Sequence, residues 1–262
     1  MNKKIIVILL FFFLFVYLWF SFAKVNFCAK NSEIKIYMYH HIDTWSVDKT
    51  WSNRYFISPS EFDQHMQYIK SLVLKKIIYV ASLSELEKFQ IKWCFPNAKI
   101  AIFTVDDGWK DAYKFLYPII QKYWIKFDYS IISKTLNNTW SNNPYLTKQE
   151  IKEMMKSWLV EIQSHSVNHY KFEDCDIDQV QYEVCESKKI LEETFDIKIN
   201  SFIYPYWHFI KDDFRFLKRC WYYYWASTTW KPMNKKILEK NRYQIFRIEV
   251  DPGVNYKKLF SF

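Results

Sequence analysis

Four short stretches of the chain carry side chains whose types and spacing could do chemistry, and each directly follows an apolar run: His40-His41, Asp106-Asp107-Gly108, His165-Ser166-Val167-Asn168-His169 and Tyr204-Pro205-Tyr206. Two adjacent carboxylates in a low-dielectric cleft repel, which raises one pKa; a cation that keeps one charged leaves the other to act as a base. Taken alone, Asp-Asp-Gly is also an ordinary turn with a helix N-cap. Two imidazoles four residues apart share a face if the stretch turns helically, and both can then bind one ion. Two neutral imidazoles and one carboxylate, with positions left for water, make up a catalytic zinc site or a non-haem iron site. Taken alone, His165 and His169 are two of only six histidines and could be surface or capping residues. It is the Asp pair at another strand end that favours the metal reading.

The elements that would position these groups are legible as alternation. Strand candidates fall at 34–40, 76–80, 99–105, 127–132, 159–163, 201–205, 222–227 and 244–249, with helix-like segments between them. Helix starts are marked by Ser58-Pro59-Ser60-Glu61, by Ser82 to Glu85 and by Thr147 to Glu150, and an amphipathic pattern covers roughly 177–194. Alternating strands and helices in one domain imply a parallel sheet, either a barrel or doubly wound, whose site lies at the carboxyl ends of the strands. The four polar endings then converge on one rim.

With 262 residues, half of them hydrophobic and a quarter charged, the chain is globular and has room for one sizeable core. The formal charge of +9 would attract anionic partners. The lysines are scattered, however, and a drift toward AT-rich codons explains them equally well, so nucleic-acid binding is not inferred. Two lysines followed by an apolar run from Ile5 to Phe20, continuing weakly to Ala23, mark residues 1–24 as a signal peptide or membrane anchor. The run is close to the roughly 20 residues that span a bilayer, which favours an uncleaved anchor. Residues 25–33 would be a short linker and 34–262 an extracytoplasmic domain. The five cysteines form no CxxC pair, which excludes a zinc ribbon. One or two disulfides fit that compartment, with Cys175 and Cys185 the nearest in sequence, and free thiols fit as well.

Together, FTVDDGWKDAY, EIQSHSVNH and FIYPYW resemble the three leading motifs of the polysaccharide deacetylases, the NodB-homology group of carbohydrate esterases, in order, spacing and strand context over roughly 34–230. The resemblance implies a distorted (β/α)7 barrel and a hydrolase that removes N-acetyl groups from an envelope or extracellular polysaccharide. It implies Asp106 as catalytic base, a divalent metal, Zn2+ first, on Asp107, His165 and His169, and Pro205-Tyr206 at the substrate with the Tyr206 amide aimed at the oxyanion. The chain departs from the pattern in two places. Ile203 stands where some members carry an arginine that orients the base, and no histidine follows His208 to serve as the late general acid. His40, His41, His208 or water could donate instead. Two other readings stay open: a glycan-binding protein that has lost turnover, and a small-molecule amidohydrolase on the same scaffold.

Glycine occurs twice, where usage of about 7% would give roughly 18, and tryptophan occurs twelve times. Trp124, Trp158 and Trp221 each stand where a helix should end in a left-handed residue, the usual place for glycine. Trp207 stands at the glycine of the proline-tyrosine motif, and Trp45, Trp51, Trp140, Trp225 and Trp230 fall in loops or near turns. By contrast, Trp19 lies in the apolar leader and Trp109 follows a real glycine; Trp93 is undecided. UGA codons read as glycine by the source organism would explain shortage, excess and positions together. An aromatic platform for sugars is the alternative, and it would cluster tryptophans on strand-end loops.

Overall fold

The computed structural model describes residues 29, 32–43, 55–92, 94–97, 99–137, 144–207, 214–228, 233–234 and 244–262. In chain order β1 (Glu33–Tyr39) is followed by the short parallel pair β2 (His41–Ile42) and β3 (Phe56–Ile57), then α1 (Pro59–Leu74), β4 (Tyr79–Ala81), α2 (Leu83–Lys92) and β5 (Lys99–Val105). A π-helical turn, Ala112–Leu116, runs into α3 (Tyr117–Tyr123), and β6 (Phe127–Ile131), α4 (Lys148–Lys156), β7 (Val160–Ser164) and α5 (Ile177–Phe195) follow. The chain closes with β8 (Ser201–Ile203), α6 (Phe214–Arg219), β9 (Tyr224–Thr228), β10 (Met233–Asn234), β11 (Gln244–Glu249) and α7 (Tyr256–Leu259).

Seven parallel strands form a closed ring in the order β1, β5, β6, β7, β8, β9, β11 and back to β1. Closure rests on β1 and β5, which pair residue for residue from Glu33 with Lys99 to Tyr39 with Val105. Elsewhere the ring is thin: β7 and β8 share one register pair, Ser164 with Phe202, and β5 divides its other edge between β4 and β6. The two-residue alternation of a strand separates two cores. Ile34, Ile36, Ile100, Ile102, Ala226 and Ile245 pack together inside the ring. Tyr37, Tyr39, Phe103 and Phe127 face outward against Phe62, Met66, Leu116 and Ile120 of the helices. Each such buried side chain contributes about 2–3 kcal/mol, so the helical layer is bound to the barrel chiefly by aromatic area.

The helix starts read from the sequence are made as expected. Ser58 Oγ accepts from the Glu61 amide at 3.2 Å, and Thr147 with Glu150 forms a reciprocal box. Ser82 and Glu85 exchange the same two bonds, and Asp176 with Gln179 starts α5. The strand expected at 76–80 is displaced: Lys76 is left-handed (φ 57°), the chain reverses there, and β4 begins only at Tyr79. Trp225, expected within the strand at 222–227 and also counted among the tryptophans in loops or near turns, lies within β9 and is buried. The cysteine pairing also differs from expectation. Cys185 on α5 is bonded to Cys220 just past α6, with Cα atoms 5.4 Å apart, and Cys94 is disulfide-bonded too. Cys175 precedes α5, and the helical rise puts Cys185 roughly 12 Å beyond the helix start, too far for a bridge; the Cys175 thiol donates to the Lys171 carbonyl instead. Residues 1–28 lie outside the described residues, among which no helix is long and apolar enough to cross a membrane.

Candidate active site

Asp106 directly follows β5, and its amide continues the ladder by donating to the Tyr39 carbonyl at 3.0 Å. Its side chain is buried against Arg247, whose Nη1 donates to Asp106 Oδ1 at 2.8 Å and to Thr104 Oγ1 at 3.1 Å. Arg247 is 0% exposed and comes from the inward face of β11, in register with the residues that line the ring. A guanidinium thus reaches Asp106 from β11, while residue 203 on β8 is isoleucine. Burial alone would push the Asp106 carboxyl up; Arg247, with His165 and His40 nearby, outweighs that and holds it below its usual value.

The chain then takes two left-handed residues in succession, Asp107 (φ 73°) and Gly108 (φ 78°). A Cβ on residue 108 would lie 3.0 Å from Ile131 Cδ1, a tight contact with the flexible end of that side chain, and the positive φ is what chiefly calls for glycine. This reversal turns Asp107 toward β7. The Trp109 indole N–H donates to Asp107 Oδ2 at 2.9 Å, which leaves Oδ1 facing the histidines.

His165 and His169 meet as expected, by a different route. The stretch from His165 to His169 is not helical: Ser166 (φ 66°) and His169 (φ 60°) are left-handed, and the loop folds back so that the two Nε2 atoms stand 3.2 Å apart. The Ser166 hydroxyl accepts from the His169 amide at 3.0 Å, and Glu183 of α5 accepts from the amides of Val167 and Asn168 at 2.9 and 2.8 Å. His165 Nδ1 donates to the Ile203 carbonyl at 2.8 Å, which sets the tautomer and leaves the Nε2 lone pair toward the site.

Asp107 Oδ1 lies 3.2 Å from His165 Nε2 and 3.3 Å from His169 Nε2, and it is buried without a hydrogen-bond partner. Three donor atoms gathered around one point, one of them an orphaned carboxylate oxygen, fit a divalent cation, and Asp107, His165 and His169 are such a group. The set lines a cavity of ≈ 270 Å³ together with Asp106, His40 and Tyr206. His40 faces this cavity with its ring 4.7 Å from that of Tyr55. His41 is tied elsewhere: its Nδ1 meets Asp111 Oδ2 at 2.6 Å and its ring stacks on Phe56. Pro205 and Tyr206 form the turn after β8, where Tyr206 is left-handed (φ 53°) and its ring sits 4.7 Å from that of His169. His208 lies outside the described residues. His41, Phe56 and Trp109 are shared with a second cavity of ≈ 870 Å³ that adjoins the first.

Arg247 was not foreseen. Its signal was present as a lone cation on the inward phase of the last strand, between Ile245 and Glu249, but nothing in the sequence says which carboxylate it meets.

A parallel barrel that gathers a buried carboxylate, a guanidinium and a two-histidine, one-carboxylate donor set at its strand ends has the parts of a hydrolase. Residues 96–225 match the family model described as Polysaccharide deacetylase. The chain is 24% identical over 231 residues to YxkH of Bacillus subtilis, covering 86% of this chain and 74% of that one. It is 26% identical over 166 residues to a poly-beta-1,6-N-acetyl-D-glucosamine N-deacetylase of Staphylococcus aureus, covering 58% of this chain and 54% of that protein. Among solved structures, the Streptococcus pyogenes deacetylase PplD in complex with acetate superposes with a TM-score of 0.77 at 25% identity, over 88% of this chain and 97% of that one. The chain belongs to the polysaccharide deacetylase family, hydrolases acting on carbon–nitrogen bonds other than peptide bonds.

Proposed function

We propose that the chain removes N-acetyl groups from an envelope or extracellular polysaccharide, with Asp106 as general base and a divalent cation, Zn2+ first, held by Asp107, His165 and His169. The observation that carries this reading is the juxtaposition of Asp106, held by Arg247, with that donor set in one cavity. When bound, the ion would supply Lewis-acid polarisation of the acetamide carbonyl and a more acidic water. With Oδ1 engaged by Arg247, Asp106 keeps Oδ2 to take a proton from the water that attacks the carbonyl carbon. The Tyr206 amide, set by the left-handed turn that Pro205 begins, donates to the oxygen as it becomes anionic. The proton that Asp106 has taken is relayed through His40 to the nitrogen as the C–N bond breaks, so that acetate and a free amine leave. His40 fits this role because it lines the cavity, whereas His41 is committed to Asp111.

Support for a polymeric substrate comes from the adjoining ≈ 870 Å³ cavity, whose Trp109, Tyr113 and Phe115 offer flat apolar faces to sugar rings. The Staphylococcus aureus relative carries poly-N-acetylglucosamine in its name, and the Streptococcus pyogenes relative was captured with acetate, the product expected here. The disulfide between Cys185 and Cys220 fits an oxidising compartment outside the cytoplasm, reached by residues 1–24 as signal or anchor. A protein that only binds glycan has no use for a buried base braced by arginine, and this disfavours loss of turnover.

Acetate release should be measured from β-1,6-linked N-acetylglucosamine oligomers, chitin oligomers and peptidoglycan with the Zn2+-loaded protein. Release from at least one of these polymers, well above that from small cyclic amides, is expected. Turnover of the small amides alone would contradict the polysaccharide reading.

A further inference from the structure

The tryptophans of this chain divide by backbone conformation. Trp124 (φ 56°), Trp158 (φ 62°) and Trp221 (φ 59°) are left-handed; Trp124 follows directly on its helix, and Trp158 and Trp221 each stand one residue beyond theirs. Trp124 and Trp221 terminate their helices with the paired hydrogen bonds of a glycine-type cap, and Trp158 makes the first of the two. The Trp124 amide donates to Gln121 and the next amide, of Ile125, reaches back to Ile120. Trp221 donates to Lys218 while Tyr222 reaches Leu217, and Trp158 donates to Met155. Their indoles are 74%, 85% and 84% exposed. A Cβ clashes in this conformation, and a bare indole gains nothing from it. Both glycines that the chain does have, Gly108 and Gly253, are also left-handed.

We infer that residues 124, 158 and 221 are glycine in the protein its organism makes, encoded by UGA codons read as glycine. Trp109 is a genuine tryptophan by the same criterion, since its indole is engaged with Asp107 and stacked on Tyr145. The structure narrows the claim elsewhere. In the turn after β8 the left-handed residue is Tyr206, one before Trp207, and Trp225 sits inside a strand. The positions do not favour a sugar platform, because these three indoles stand at helix ends rather than on strand-end loops.

The gene decides the matter: UGA at codons 124, 158 and 221 with UGG at 109 is expected, and UGG at any of the first three overturns the inference there. Peptide masses from the natural host should show glycine at the same positions. In protein made with tryptophan, each Trp→Gly replacement should raise Tm by a few degrees, whereas Trp124→Ala should not, because alanine keeps the Cβ. Equal gains from alanine and glycine would show that left-handed strain is not the cause.

A different observation assigns Trp109 a role of its own, and it rests on the metal reading proposed above. Of the three donors, His165 is braced by the Ile203 carbonyl, and the brace of Asp107 is the Trp109 indole, 2.9 Å from Oδ2. Tyr145 stacks on that indole at 4.5 Å and His41 lies against it at 4.6 Å, so the ring is fixed in turn. We propose that Trp109 is a positioning residue that keeps Asp107 a one-oxygen ligand with Oδ1 toward the histidines.

Trp109→Phe keeps the stack and removes the N–H. Chelator competition should show Zn2+ held about tenfold more weakly or worse, since such outer partners are typically worth 10–100-fold. Equal affinity in parent and variant overturns the role of Trp109 alone; a parent that binds no Zn2+ overturns the metal reading itself. If the variant fails to fold, indole emission of the parent during Zn2+ titration decides: a change that saturates at one equivalent supports the contact, and a silent titration contradicts it.

Discussion

Arg247 has two consequences for Asp106 that can be separated. It neutralises a buried carboxylate, and the bond from its Nη1 to Oδ1 also fixes which oxygen stays available. Because Arg247 holds the Asp106 carboxyl below its usual value, the base is ionised to lower pH than a lone buried aspartate would be. Arg247→Lys keeps the charge but not the Nη1 atom that bridges Asp106 and Thr104, so the acidic limb of the kcat/KM profile should move to higher pH while the basic limb stays. Arg247→Met leaves an uncompensated buried charge and should cost about 3–5 kcal/mol of stability in urea unfolding. An unmoved acidic limb in the lysine variant would show that Arg247 does not tune the base. Asp106, Asp107, His165 and His169 were legible because each pair is local in sequence and ends an apolar run. Arg247 was not, because it meets its carboxylate across 141 positions of chain and reads locally as one polar residue in a strand. The exposed tryptophans were legible only as misplaced residues: their type contradicted their position.

At the scale of elements, α1 is packed on the barrel by Phe62, His65, Met66, Ile69 and Leu72. His65 is buried among them, with Nδ1 hydrogen-bonded to the Tyr39 hydroxyl at 3.2 Å, and burial lowers its pKa to about 4. Between that value and the ordinary value near 6.5, the unfolded chain binds more protons than the folded one. The contribution of neutral His65 is therefore complete above about pH 6.5 and is lost as pH falls toward 4, by about 3 kcal/mol in all. Urea unfolding at pH 7 and pH 4.5 should show this loss, and His65→Gln should flatten it; an equally steep dependence in the variant would assign it to other groups. Helix starts were legible because a cap is a matter of four neighbouring residues. The left-handed reversal at Lys76 and the non-helical loop of His165 to His169 were not, since lysine, serine and histidine do not announce positive φ. Closure of the ring through β1 and β5 is likewise a long-range pairing that no local pattern encodes.

At the scale of the molecule, the β7–β8 seam is the thinnest part of the ring, and the bridge from Cys185 to Cys220 ties together the helices that flank the β8 segment. A loop of 35 residues closed by a disulfide stabilises by about 3–4 kcal/mol in the chain-entropy account. Cys185→Ala/Cys220→Ala should therefore lower Tm by roughly 10 °C while leaving Zn2+ content unchanged; an unaltered Tm would show that the seam is held by packing alone. The central claim is that Asp106 abstracts the proton of the attacking water. Acetate release by the Zn2+-loaded protein and by Asp106→Asn tests it most directly: a fall of about 10²–10⁴-fold with metal content unchanged is the predicted result, and equal release from the two proteins would contradict it.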